Sequence, residues 1–162
     1  MLSDFQNEHC ASLHQDLRRS QSEVRITVVE TADRIRVTWA KAAALSDEFA
    51  RAFYANLFRA DASTKPLFVG DLELQGRKLM QTLGFIVDHL DDTDALLPAA
   101  RDLAIRHVSY GVTADQHQSV GSAMIITMKQ LLGSEFSPED ADAWAEVYGG
   151  LSQAMIDSAY PA

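Results

Sequence analysis

Apolar residues recur three and four positions apart along most of this chain, and the runs are broken by caps, Gly and Pro, not by strand-like alternation. That pattern restricts the chain to an all-α fold of five substantial helices and one or two short ones, with no strand. Thr27-Val28-Val29-Glu30 fits a capping box, in which a Thr hydroxyl and a Glu carboxylate satisfy free backbone N–H groups at a helix start. The first long helix is therefore expected from Thr27 to about Ala44, with Val28, Ala32, Ile35, Trp39 and Ala42 or Ala43 facing inward. Ser46 is expected to cap the second, whose core face is Phe49, Phe53, Leu57 and Phe58 and whose first turn carries Asp47 and Glu48, as its dipole favours. The third spans about Leu72 to Leu90, with Leu72, Leu79, Leu83, Ile86 or Val87 and Leu90 inward. Gly76 inside it costs about 1 kcal/mol relative to Ala, which a close helix crossing would compensate. Asp91-Asp92-Thr93 and Pro98 mark a capped, interrupted region before a short helix. Thr113 to Gln116 starts another, stopped by Gly133, and Ser137-Pro138-Glu139-Asp140 starts the last.

Composition narrows the partners. With 162 residues, 47% hydrophobic and 23% charged, the chain makes one globular domain. A net charge of -9 argues against nucleic acid and anionic membrane surfaces, which demand clustered cations. Cys10 is the single cysteine, so an internal disulfide and a CxxCH haem attachment are both excluded, and a reducing compartment is the easier fit. No secretory leader and no stretch near the ~20 apolar residues of a membrane span is visible, so a cytoplasmic location is expected. Residues 1–25 are polar, with a thin stripe of Cys10, Leu13, Leu17 and Val24; they form either a helix, docked on a neighbour or a partner subunit, or a disordered arm.

Four side chains ask for partners. His107 lies four residues after Leu103 and so shares its apolar face, in the last turn of a helix that Tyr110 and Gly111 end. Phe68 closes an apolar cluster inside a connector, residues 60–71, otherwise made of turn residues. Gln75 sits one turn before Leu79 on an inward face, where an amide is expensive unless something polar meets it. Tyr54 places a hydroxyl beside the core face of the second helix. Read locally, two of them have an ordinary role: a satisfied core histidine and a tyrosine whose hydroxyl reaches the surface; Phe68 still needs a cover and Gln75 a polar partner.

Taken in order, FYANLF with TKPLF, QGRKL, RHVSYGV and AWAEVYGGL resemble the globin family, most closely bacterial single-domain haemoglobins and the haem domain of flavohaemoglobins. The resemblance covers about Ile26 to Ala159 and implies a globin fold, a three-over-three helical sandwich around haem b (iron protoporphyrin IX), in a domain of residues 26–162 behind the polar extension. It implies that His107 ligates the iron and that Phe68 packs on the porphyrin. Tyr54 and Gln75 match the distal tyrosine and glutamine, with Leu79 lining the ligand pocket. Leu103 then lies beneath the haem and offers its carbonyl to the outer nitrogen of His107, Val112 closes the same motif, and Lys78 and Arg106, like Arg77, stand where cations meet propionates or are ordinary solvated charge.

Two departures qualify the resemblance. Where flavohaemoglobins place a tyrosine and a glutamate that hydrogen-bond the proximal histidine, this chain has His117 and Ala159, so weaker electron donation to the iron and weaker peroxidase-like chemistry are expected. Ala62 stands where a proline usually follows the second helix. The implied function is binding of O2, and of NO and CO, with high affinity for scavenging, sensing or storage, by a monomer or homodimer that is not an enzyme by itself. The alternative is NO dioxygenation with a separate reductase, since no flavin or nicotinamide sequence follows Ala162. A haem-free globin-fold interaction module is a third reading, disfavoured by Tyr54, Phe68, Gln75 and His107 together.

Overall fold

The computed structural model describes the backbone of residues 3–160 and the side chains of residues 19–21, 23, 25 and 28–160. Six helices follow one another: α1 (Ser3–Ala43), α2 (Ser46–Ala60), α3 (Leu72–Asp88), α4 (Thr93–Ser109), α5 (Ala114–Leu132) and α6 (Pro138–Ala159), with 3-10 turns at Ala62–Leu67 and Gly133–Glu135. Among the described residues there is no strand.

Several helix ends follow local chemistry. Asp71 caps α3 by accepting from the N–H groups of Glu73 (2.8 Å) and Leu74 (3.3 Å), and Asp92 caps α4 from Ala95 (3.1 Å). The α5 start is a reciprocal cap in which Thr113 N–H donates to Gln116 Oε1 at 3.0 Å. At α6, Asp140 N–H donates to Ser137 Oγ (3.1 Å) while Ser137 N–H donates to Asp140 Oδ2 (2.9 Å), with Pro138 in the first turn.

Four expectations need correction. The first helix does not begin at Thr27: α1 passes that point unbroken, because a Thr-x-x-Glu pattern inside a helix has no free N–H groups to cap. Ser46 is the first helical residue, not the cap; Leu45 holds that place without a side-chain bond. The region around Pro98 is not interrupted. Pro98 lies in the second turn of a full 17-residue helix, where its missing N–H removes a single bond near the end. Val28 (55% exposed) and Leu72 (44%) face solvent, since Val28 precedes Ala32, the first buried residue among those described in α1, and Leu72 is the first residue of α3. The stripe of Cys10, Leu13, Leu17 and Val24 falls outside the described side chains.

The main core joins α1, α2, α5 and α6 around Ile35, Phe49, Leu57, Met124 and Met128. Trp39 anchors it, its ring edge-on to Phe49 (centroids 6.3 Å) and tilted to Trp144 (6.4 Å). Trp144 Nε1–H donates to Thr38 Oγ1 at 2.8 Å, so both buried polar atoms are paired. At Gly76, an added Cβ would stand 2.8 Å from Ala50 Cβ, so α2 and α3 cross there as closely as the sequence suggested. Gly121 gives α5 the same closeness to α6: a Cβ there would lie 2.6 Å from the Tyr148 ring.

The packing divides the helices in a way that builds a site. Helix α3 rests on α2 and α1, whereas α4 rests on α6. Although consecutive in sequence, α3 and α4 make no more than marginal contact with each other.

Candidate haem cleft between the third and fourth helices

Between these two helices lies an open, mostly apolar cleft of about 300 Å³. Phe85 and Ile86 of α3, Leu96, Ala100 and Leu103 of α4 and Leu151 of α6 line it, with Gln81, Thr82 and Arg106 as its polar members. Its size falls at the lower end of small-molecule sites, ~300–1,000 Å³.

His107 sits on α4 one turn beyond Leu103. Its Nδ1 lies 2.7 Å from the Leu103 carbonyl oxygen. A carbonyl only accepts, so Nδ1 carries the proton and Nε2 is left with a lone pair, the form in which imidazole binds metal. Burial lowers the imidazole's pKa, with the Leu103 carbonyl acting against that and the charge of Arg106 adding to it, so the ring is neutral near pH 7. The α4 end is tightly made: Tyr110 N–H donates to the carbonyls of Arg106 and His107 (3.1 Å each), and Val112 N–H to that of His107 (3.0 Å). Gly111, at φ +83°, supplies the left-handed residue this corner requires.

On the other side, Tyr54, Phe58 and Phe68 form a ring cluster, with Phe68 5.1 Å from Tyr54 and 5.5 Å from Phe58 between centroids. Phe68 is brought there by the 3-10 turn, which Asp61 starts by accepting from Ser63 N–H at 3.0 Å. Tyr54 is 6% exposed, and no hydrogen bond to its hydroxyl is formed by any described residue. Burial pushes its pKa up to about 12, so it remains an O–H donor. Gln75 is half-buried, and among the described residues its amide likewise has no hydrogen-bond partner. The next residue, Gly76, lets α3 approach the Tyr54 ring edge to 4.0 Å, measured from the Cβ it lacks. Leu79 packs at the edge of the main core.

The expected residues thus fall into two sets: Tyr54, Phe68, Gln75 and Leu79 lie on α2, the following connector and the start of α3, and Leu103, Arg106, His107 and Val112 at the end of α4 and just after it, with Phe68 and Leu79 packed on the main core and Leu103 on a separate small cluster. Lys78 is exposed, and Arg77 is tied at 3.1 Å to Glu73 on the helix surface. Arg106 lines the cleft while its Nε–H donates to Asp102 O at 3.3 Å. Beneath the cleft, Ala159 packs in a small apolar cluster with Ala100, Ala104, Met155 and Leu103. His117 is buried, its ring 5.9 Å from that of His107 at 25°. Among the described residues, Leu103 is the sole hydrogen-bond partner of the His107 ring. Sequence reasoning overlooked Phe85, Leu96 and Leu151 as cleft residues, although an apolar side chain on a helix edge beside the main stripe was the available sign.

The residues present suit a flat apolar group with a metal centre: a mostly apolar lining between α3 and α4 and, on α4 directly after the lining residue Arg106, a neutral imidazole whose Nε2 carries no proton. The fold is all-α, with a mostly apolar cleft between α3 and α4. The globin family model matches residues 51–155, and the chain belongs to that family. It is similar to the flavohemoprotein of Bordetella parapertussis, 30% identical over 109 residues that cover 65% of this chain and 27% of that protein. Against the flavohemoprotein of Chromobacterium violaceum it is 32% identical over 108 residues (64% and 26%), and against that of Rhodopirellula baltica 29% identical over 117 residues (70% and 29%). The chain thus spans little more than a quarter of the length of the relatives it matches.

Proposed function

We propose that this globin holds haem b between α3 and α4 with His107 Nε2 as the ligand to iron, and binds O2 reversibly with high affinity, with NO and CO as alternative ligands. The observation that carries the reading is the protonation pattern at His107: the Leu103 carbonyl 2.7 Å from Nδ1 leaves Nε2 with a free lone pair, on the residue that follows Arg106 of the cleft lining. The haem, when bound, supplies an iron that takes a diatomic gas reversibly. The chain does the rest. Phe68, Leu79, Leu103 and Val112 give the porphyrin apolar contacts, and Lys78 and Arg106 meet its carboxylates. Tyr54 O–H and the Gln75 amide would donate to the gas, neither having a hydrogen-bond partner among the described residues.

A hydrogen bond to a charged acceptor contributes about 1.5 to 3 kcal/mol, so one such donor slows gas escape by roughly 10- to 150-fold. The test is O2 dissociation in Tyr54→Phe and Gln75→Leu. At least one variant should release O2 tenfold faster or more, and unchanged rates in both refute the distal assignment. His107→Ala should abolish the Soret band of the purified protein.

The flavohemoprotein relatives favour a second reading, in which NO and O2 give nitrate. Each turnover consumes one electron, which a separate reductase would supply. Sustained NO consumption that tracks added reductase distinguishes this reading from simple gas binding. Among the described residues no helix is long and apolar enough to cross a membrane.

A further inference from the structure

We infer that Asp61 is a positioning residue for Phe68: through Ser63 and Gln116 it ties the connector that carries Phe68 to the corner that follows His107. The inference rests on the reading of Phe68 as a porphyrin contact and of His107 as the ligand. Phe68 packs on the main core and Leu103, one turn before His107, on the separate small cluster, so neither cluster alone fixes one wall of the cleft against the other. The connector cannot do so by itself. Its 3-10 turn is six residues long, with bonds of poorer geometry than those of an α-helix, and Ala62 at its start leaves φ free where a proline would set it. Beyond Phe68 the chain turns outward, with Val69 83% exposed and Gly70 at φ +105°.

Two contacts supply the missing constraint. Leu67, next to Phe68, lies against the corner, 3.8 Å from the Cβ that Gly111 lacks. Beside it runs a chain of hydrogen bonds. Thr113 N–H donates to Gln116 Oε1 at 3.0 Å, so the other end of that buried amide, Nε2–H, is the donor to Ser63 Oγ, also at 3.0 Å. Ser63 Oγ accepts there and has its own proton left for Asp61 Oδ1, while Ser119 Oγ–H donates to Asp61 Oδ2 at 2.9 Å. The bonds therefore run one way, from the corner to a carboxylate, and the ionised acceptor strengthens those that end on it. The Ser63 hydroxyl first, and the Ser119 hydroxyl after it, hold the Asp61 carboxyl below the usual aspartate range. At the corner end, Val112, which precedes Thr113, donates its N–H to the His107 carbonyl at 3.0 Å. Asp61 thus acts twice: Oδ1 starts the turn by accepting from Ser63 N–H, and both oxygens hold that turn to α5.

The double variant Ser63→Ala with Ser119→Ala removes the tie and keeps the bond from the backbone N–H of residue 63 to Asp61, so the turn still starts. Two readouts apply to the full chain. Hydrogen exchange at the Thr113 amide, on the far side of the tie, needs no haem. The C–O stretching band of the ferrous CO form reports donation from Tyr54, whose ring Phe68 meets at 5.1 Å. With Gln116 released, Thr113 exchange should accelerate roughly twofold to tenfold, the worth of one ordinary hydrogen bond. The CO band should shift or broaden, whereas Ser158→Ala, whose hydroxyl bonds within α6 to Ala154 O, should change neither. Unchanged Thr113 exchange overturns the tie, and an unchanged CO band overturns the positioning role even if exchange accelerates. A purified chain without a Soret band overturns the haem reading and the positioning role with it, whereas the tie stands or falls on the Thr113 amide.

Discussion

Replacing Gly76 by Ala sets two opposing effects against each other, and the structure says which prevails. Helix propensity favours Ala by about 1 kcal/mol in a helix interior. Against it, the new methyl would meet Ala50 Cβ at 2.8 Å. Carbon atoms rest at about 3.5–4.0 Å, so α2 and α3 must part by about 0.7 Å or more at this point. Neither partner is the end of a flexible side chain, and Ala50, Phe53 and Tyr54 around the crossing are all buried. Overpacking of a tight core typically costs about 1–3 kcal/mol. The expected net is a loss of up to about 2 kcal/mol in urea unfolding. The sharper measurement is a double-mutant cycle with Ala50→Gly, which removes the opposing methyl. The pair should be more stable than the sum of the single changes by about 1 kcal/mol or more. Gly76→Ala proving more stable than the parent by the full propensity gain would refute the close crossing. Because Gln75 precedes this glycine and Tyr54 lies below it, the same variant should also alter gas release.

Other consequences can be measured independently. Gly121→Ala pushes a methyl to 2.6 Å from the Tyr148 ring, so thermal unfolding should fall by several degrees, with Tyr148→Leu restoring part of the loss. In the haem-free chain His107 and His117 are both held below the ordinary histidine pKa chiefly by burial, so the unfolded state binds protons first as pH falls through about 6.5. Stability should be full above that pH and decline below it, and His117→Gln should flatten the decline in a series of denaturant melts. Asp140 is pushed up by burial, but hydrogen bonds from Ser137 and the Arg34 guanidinium outweigh this and leave its carboxyl below the usual aspartate range. Its contribution is present above about pH 4 and is lost as pH falls through its lower native value. Asp140→Asn should therefore cost about 1 kcal/mol near neutrality and soften the acid limb of the unfolding profile.

The helical reading came directly from spacing and caps, because Asp92, Thr113 and Ser137 each announce a helix start through a side chain able to meet a free N–H. The failures share a cause. Thr27 and Ser46 carry the same chemistry without the same geometry: a hydroxyl caps only where the preceding chain has already left the helix, which α1 has not done at Thr27. Leu72 and Val28 lie on the periodic stripe, but periodicity gives the direction of a face and not where the neighbouring helix ends. The site divides similarly. His107, Tyr54, Phe68 and Gln75 were legible as residues out of keeping with their surroundings and as parts of a familiar order of motifs. Asp61 and Gln116 were not, since their roles lie in bonds to Ser119 and to Ser63 that no spacing encodes.

That division bears on what the proximal side can do. Electron donation from a ligating histidine grows with the basicity its outer nitrogen is given, and a carboxylate partner gives most. Here the outer nitrogen meets a carbonyl at 2.7 Å, and the residue that stands, by the resemblance, where flavohaemoglobins place the glutamate is Ala159, packed against a cluster of Ala100, Ala104 and Met155. Ala159→Glu would have to bury a charge in that apolar cluster, where an unpaired carboxylate takes up a proton instead. Restoring the acid alone should therefore raise neither ligand basicity nor peroxide cleavage. With His117→Tyr, whose hydroxyl could join the carboxylate beside His107, the acid gains a polar partner and both should rise. Peroxidase-type turnover measured in the single and double variants distinguishes these outcomes, and a full gain from Ala159→Glu alone would show that the cluster is less apolar than its packing indicates.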